Sequence, residues 1–331
     1  MAEYQSITEF DRPHRQNRFD ATLRFHYKAD KRRTFMPLRY WLLIILLGAV
    51  WGCSFLFNAI LIREISPLWV SAGRVTIGAA ICWVYFLAMR KTLPNDWRIY
   101  AQLLVLGILN YAIPFSLFPF AEQTVASSIV GVINGLTPMS TVIVSQLWRG
   151  GEKATWNKVV GVIIGFVGAF ILALPSLGAG AAAQVLGLLA AMGATLCYAL
   201  TLNYARRFKD IDSAAVATCS LTAAALFSVP IALFASGVPV ITRIETWGAL
   251  FGIAAFSTSF SFLLVYWLLP RVGATNISLN TFITPISAIL LGVLVLHERF
   301  EAAHVAGIVV IFIGLIFMDG RLVRRRAPAA A

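Results

Sequence analysis

The chain has 331 residues, of which 59% are hydrophobic and only 13% charged, and its mean hydropathy is +0.79. Soluble domains carry about 25% charged residues, so ordinary soluble domains are excluded and lipid must be the solvent for most of this surface. The formal net charge of +12 would suggest a nucleic-acid face in a soluble protein, but here the Lys and Arg residues lie between apolar runs, and no nucleic-acid partner is expected.

Residues 1–37 read as a polar cytoplasmic tail, disordered, without the apolar core of a secretory signal. From Tyr40 onward, apolar stretches of about 18 to 23 residues recur, each long enough for a helix rising 1.5 Å per residue to cross a core of about 30 Å. The spans fall near 40–62, 67–89, 99–121, 127–148, 158–175, 184–205, 213–235, 247–269, 275–296 and 303–320. Turn and charge signals separate them: Arg63-Glu64 with Pro67, Arg90-Lys91 with Pro94, the run from Arg149 to Lys153, and Arg206 to Asp212. Residues 323–331 close the chain as a basic cytoplasmic tail.

Counting Lys and Arg on alternate sides of ten spans gives 23 on the side of the termini, three (Arg63, Arg243 and Arg299) on the other, and one, Arg74, inside a span. The bias places both termini in the cytoplasm of a multi-pass membrane protein.

The chain also repeats itself. Pro138, Glu152, Gly161 and Gly168 are spaced by 14, 9 and 7 residues, and Pro285, Glu298, Gly307 and Gly314 by 13, 9 and 7. Five helices per copy is an odd number, so the second copy enters the membrane inverted, an arrangement that recurs in secondary transporters with the substrate site near the midplane. The expectation is an all-α integral membrane protein of about ten helices in two inverted five-helix repeats, residues 38–178 and 179–322.

Trp51-Gly52-Cys53-Ser54-Phe55 in the first span, Pro67 followed by Arg74 in the second, and the two Pro, Glu, Gly, Gly series resemble the drug/metabolite transporter superfamily in its ten-helix EamA-type branch. Cys53 stands where a Ser- or Thr-like small residue is more usual, and Cys197-Tyr198 replaces the second-half counterpart of the tryptophan. The resemblance, which covers residues 38 to 320, implies export or uptake of small organic solutes such as amino acids or related metabolites across the inner (plasma) membrane, and the two halves are expected to work by alternating access.

A charged residue at the centre of a span costs about 2.5 to 3.5 kcal/mol on insertion scales, so Arg74 is expected to face protein or a cavity. The weighed alternatives for it are a substrate contact, a structural hydrogen-bonding role and snorkelling. Pro138 and Pro285 kink their helices and free the carbonyls of Asn134 and Thr281, which could line a cavity or be satisfied by nearby hydroxyls. Trp51 and Asn58 on the first span, Tyr111 on the third, and Tyr198 and Tyr266 from the second half complete the candidate substrate-binding set, against a reading in which the aromatic stripes only pack. Glu152 and Glu298 lie at loop edges beside basic residues and read as caps or surface ion pairs, and Glu122 lies at a span boundary. No carboxylate falls deep in a span, which argues against proton antiport relying on one.

The four cysteines and four histidines form no metal-ligand pattern, and no phosphate-binding loop is present, so neither metal nor cofactor is expected and the chain is not read as an enzyme. An integral-membrane enzyme acting on a lipid-linked substrate is the rival reading, with His297 and His304 its only histidine cluster, and a scaffold or receptor is a third. The expected partners are a small-molecule substrate and the bilayer. Small-residue pairs at Gly48/Gly52 and Gly161/Gly165 also allow close helix packing or a homodimer.

Overall fold

The structure, a computed structural model, describes residues 36–177 and 181–319; both tails, the boundary between the repeats at 178/179 and the side chain of Tyr266 lie outside the described residues. Nine described helices are long and apolar enough to cross a membrane: α1 (Leu38–Leu61), α2 (Pro67–Ala88), α3 (Trp97–Glu122), α4 (Ser127–Leu147), α5 (Trp156–Ser176), α6 (Ala182–Phe208), α7 (Ser213–Ser236), α8 (Ile244–Val265) and α10 (Ala302–Asp319). Between the last two lies the shorter α9 (Asn280–Leu294). The ninth span, expected over 275–296, is thus divided: a short helix (Ala274–Ile277) follows Gly273, whose φ of 76° turns the chain, and α9 starts at Asn280, with Thr281 in its first turn bonded to the Ser278 carbonyl.

Helix starts follow local chemistry. Ser66 caps α2 ahead of Pro67, Asp96 caps α3 and Asp212 caps α7, each accepting a hydrogen bond from a first-turn amide that has no partner within its helix.

Loops gather at two ends of the bundle. At one end Glu64, between α1 and α2, binds Thr242 and Arg243 before α8, while Glu298, between α9 and α10, binds Ser127 at the start of α4. At the other end Lys91 meets Asp212 and Arg206 meets Glu152. The odd-numbered loops share the first face and the even-numbered loops the second, so the α1–α2 loop and its counterpart between α6 and α7 lie on opposite faces and the halves are inverted. Helix pairing obeys the same exchange. The packings of α1 on α9, α3 on α6 and α7 on α3 have as counterparts α6 on α4, α8 on α1 and α2 on α8, while α2–α7 and α5–α10 map onto themselves.

The α5–α10 pair explains the repeated glycines. A Cβ on Gly161 would lie 2.7 Å from the Gly314 carbonyl oxygen, and one on Gly307 would lie 2.7 Å from that of Gly168, so the helices touch backbone to backbone at two mirrored points. The polar-facing glutamates of the same series, by contrast, go to opposite ends of the molecule.

Two features have no expression in the hydropathy pattern. Residues Ile108–Ala112 of α3 and Ala255–Phe260 within α8 are wound as π-helix, at equivalent places in the two halves. Such an expanded turn leaves carbonyls without a regular α-helical donor, and hydroxyls fill the gap. Thr258, Ser259 and Ser261 each donate to the carbonyl five residues back, at 3.0, 3.1 and 2.9 Å, and Ser71 of α2 and Ser116 both donate to the Ala112 carbonyl.

Candidate functional site

Arg74 lies on α2 between the two π segments and is only 6% exposed. Its Nε donates to Thr258 Oγ1 in the α8 bulge at 2.8 Å, and Nη2 reaches Ser54 Oγ of α1 at 3.5 Å. The guanidinium carbon stands 3.5 Å from the centre of the Phe115 ring on α3. Among the described residues no carboxylate lies within ion-pair distance of it. Both hydroxyl acceptors are neutral, so the ring face and the two hydrogen bonds hold a positive charge without neutralising it.

An aromatic chain joins this centre to the predicted residues. Tyr111, in the α3 bulge, packs against Phe115 and, edge-on, against Phe262, with centroids 5.6 and 5.4 Å apart; Trp51 meets the other side of Phe262 at 6.4 Å. Tyr198 of α6 packs on Phe118 at 5.9 Å, and Phe118 on Phe55 at 5.6 Å. Arg74, Tyr111 and Trp51 therefore share one site, and Tyr198 flanks it. Ser54, Thr258 and Phe262 join it without having been singled out from sequence; the Ser257-Thr258-Ser259 run inside an apolar span is the signal that marks the α8 bulge.

The other candidates are placed differently. Pro138 begins the second part of α4, which is broken between Asn134 and Thr137, and the carbonyl of Asn134 accepts from the Thr137 hydroxyl at 2.7 Å. Pro285 sits inside a continuous α9, buried beside Gly135 of α4, and Thr281 Oγ1 donates to the Ser278 carbonyl at 2.7 Å. The Asn134 carbonyl thus takes a local hydroxyl, the alternative weighed above for that kink, while Thr281 spends its hydroxyl, not the carbonyl that Pro285 frees, on a local turn. Asn58 is buried and faces Glu122, to which Nδ2 donates at 3.0 Å.

Glu122 ends the α3 span, at the boundary expected of it, but faces inward. The extra residue per turn in the α3 bulge rotates the helix beyond it, and Glu122 ends turned into the bundle, only 9% exposed. It lines a cavity of about 390 Å³ at the odd-loop end, together with Arg63, Gln123, Ser127 and Glu298.

Glu298 closes that end. His297, with φ 56°, turns the chain back, and the carboxylate accepts from the backbone amides of Ser127 (2.7 Å) and Ser128 (3.1 Å) and from both serine hydroxyls. A carboxylate on a helix N-terminus satisfies amides that have no partner within the helix and is favoured by the helix dipole. Gly292 leaves the space for it, since a Cβ there would collide with the carboxylate. The capping expected of Glu298 occurs, but across the halves, on α4. Nearby, Glu64 is held down to about 2 by the Thr242 and Thr246 hydroxyls and backbone amides of the α7–α8 loop.

Comparison with known proteins places this arrangement. The EamA-like transporter family matches twice, over residues 38–174 and 185–318. The chain is 24% identical over 283 residues to an uncharacterized transporter of Archaeoglobus fulgidus, covering 84% of this chain and 98% of that protein. It is 26% identical over 301 residues to the uncharacterized transporter YvbV of Bacillus subtilis, covering 87% and 94%. An S-adenosylmethionine/S-adenosylhomocysteine transporter of Chlamydia trachomatis is 23% identical over 270 residues, covering 78% and 82%. One crystal structure shares the fold with a TM-score of 0.63 at 18% identity, covering 88% of this chain and all of that one. Ten apolar helices in inverted halves, glycine seam included, and a family match over both halves make this chain a multi-pass membrane protein that belongs to the EamA-like transporter family.

Proposed function

We propose that the chain carries small organic solutes bearing a carboxylate or similar anionic group, by alternating access, through the site around Arg74. The observation that carries this reading is the buried guanidinium held by Thr258, Ser54 and Phe115 with no carboxylate within ion-pair distance among the described residues. In a low-dielectric site a guanidinium can take a carboxylate in a two-pronged, charge-assisted pair, which a neutral solute cannot match. Trp51, Tyr111 and Tyr198 supply ring surfaces for the rest of the solute. The chlamydial relative is named for S-adenosylmethionine, an amino-acid derivative, which agrees with this class.

The site is packed closed, so passage requires the halves to rearrange around it. Two π segments, one from each half, flank Arg74, and turns of this kind change their hydrogen bonding more readily than regular α-helix. With the even-loop face in the cytoplasm, as the charge bias indicates, the Glu298 contact closes the opposite side. Amino acids and related metabolites of the inner membrane are the first solutes to test.

The test is uptake and counterflow in proteoliposomes with a panel of amino acids, organic acids and their amides, for wild type, Arg74→Lys and Arg74→Gln, with thermal unfolding in detergent recorded in parallel. The acids are expected to move and their amides not to. Arg74→Gln should lose that preference, and Arg74→Lys should keep the charge but move the acids more slowly. Normal acid transport by a stable Arg74→Gln protein would refute the assignment, and loss of folding in that variant alone would make Arg74 a structural residue.

A further inference from the structure

Among the described residues four buried side-chain oxygens have no hydrogen-bond partner, those of Ser228 and Thr284 and two that belong to neighbouring side chains: Oδ1 of Asn58 and Oε2 of Glu122. The same two side chains are already joined by the bond from Asn58 Nδ2 to Glu122 Oε1. Two unpartnered acceptors buried side by side are a costly arrangement. One proton on Oε2 removes both deficits at once, because it turns Oε2 into the donor that Oδ1 lacks and closes an amide–carboxylic acid ring with two hydrogen bonds.

We propose that Glu122, paired with Asn58, is a proton-binding site reached from the odd-loop cavity. Three observations carry it: the orphaned oxygen pair, burial of both residues, and the cavity of about 390 Å³ that reaches Glu122 from that end of the bundle. Charged groups of both signs face Glu122. Glu298, across the cavity, is held by four donors from Ser127 and Ser128; Arg63 lines the cavity wall; Arg74, on α2, is held by Thr258, Ser54 and the Phe115 ring. From α6 the titratable neighbour is Tyr198, one turn deeper beside Phe118. No ion pair to Glu122 exists among the described residues. A metal cation would need several more oxygen ligands than this pair supplies. Because Asn58 is on α1 and Glu122 on α3, the proton ties together two helices on either side of the Arg74 site, and its release would loosen them. Coupling of that release to solute movement rests on the transport reading above, whereas the proton site does not.

The decisive measurement is infrared difference spectroscopy of the full-length protein in lipid, titrated between acid and alkaline buffers, on wild type, Glu122→Gln, Asn58→Leu and Glu298→Gln. We expect a protonated-carboxyl band that bleaches as the pH rises, is lost in Glu122→Gln, shifts in Asn58→Leu because the amide partner is gone, and persists in Glu298→Gln. Glu122→Gln should fold, since the amide can donate to Asn58 Oδ1; if it does not, the band shift in Asn58→Leu decides. A wild-type band retained in Glu122→Gln, unmoved in Asn58→Leu, or displaced by sodium at constant pH would overturn the proposal. Uptake of a labelled amino-acid mixture driven by a pH gradient is then compared in wild type and Glu122→Gln. Gradient-driven uptake lost in the variant supports coupling, and gradient-driven uptake kept in it refutes coupling. If neither protein takes up the mixture it is the solute assignment that fails, and the infrared result still stands on its own.

Discussion

Glu298 and Glu152 occupy equivalent places in the two halves, yet they do opposite things. Glu298 is drawn into the bundle by four donors at the head of α4. The Glu152 side chain stays 68% exposed and its carboxylate meets Lys158 at 3.5 Å and Arg206 at 3.3 Å, on its own face of the molecule. The repeated glycines, in contrast, make the same contact from both halves. An inverted repeat whose spine is symmetric and whose loop contacts are not has selected one of two equivalent conformations: the odd-loop end is fastened by a carboxylate seated on helix amides, the even-loop end by more exposed ion pairs.

The comparison breaks most severely at the spine. Gly307→Leu would force a side chain into a place where even a Cβ lies 2.6 Å from Leu172, and should abolish monodisperse folded protein in detergent size exclusion. Gly307→Ala should cost roughly 1 to 3 kcal/mol from overpacking, read by thermal unfolding. Next comes the odd-loop end. Glu298→Ala leaves two α4 amides without acceptors and should cost about 1.5 to 3 kcal/mol, the range for hydrogen bonds to charged groups. Glu152→Ala should cost about 0 to 1 kcal/mol, as exposed ion pairs do. Equal losses for the two variants would show that the asymmetry has no energetic content.

A finer test uses acidity. Glu64 sits at about 2 when folded, below the ordinary 4.5, because the Thr242 and Thr246 hydroxyls and neighbouring amides favour its charged form. Its stabilising contribution is therefore present above about 4.5 and lost as the pH falls toward 2. Thermal unfolding of wild type should weaken across that window, and Glu64→Gln should flatten that part of the profile while leaving the higher range parallel to wild type.

Much of the architecture was legible in the sequence because each span needs only length and apolarity, and the Pro, Glu, Gly, Gly series is a pattern of residue types at fixed spacing. Arg74 was legible for the same reason, being a charge in an apolar run. The π segments were not, because one extra residue in a turn leaves composition untouched while rotating every side chain beyond it. Glu122 shows the consequence. It follows the α3 bulge, so its position near the end of a span says nothing of which way it faces, and its partner Asn58 lies 64 residues away. Asn58 itself was picked out together with Trp51 on the first span. The structure separates the two, sending Trp51 to Phe262 and Asn58 to Glu122.

The glycine seam between α5 and α10 has a mechanical consequence. Where backbone rests on backbone there are no side-chain rotamers to exchange, so the two helices cannot slide past each other in small steps. Only 28% of the α5 span and 22% of the α10 span are buried, so the pair is attached to the rest of the bundle over a small part of its surface. It has the form of a fulcrum: two rods clamped together, one from each half, about which the remaining eight helices can tilt. Distances between spin labels within the pair should then stay fixed under conditions that change distances between the odd-numbered loops.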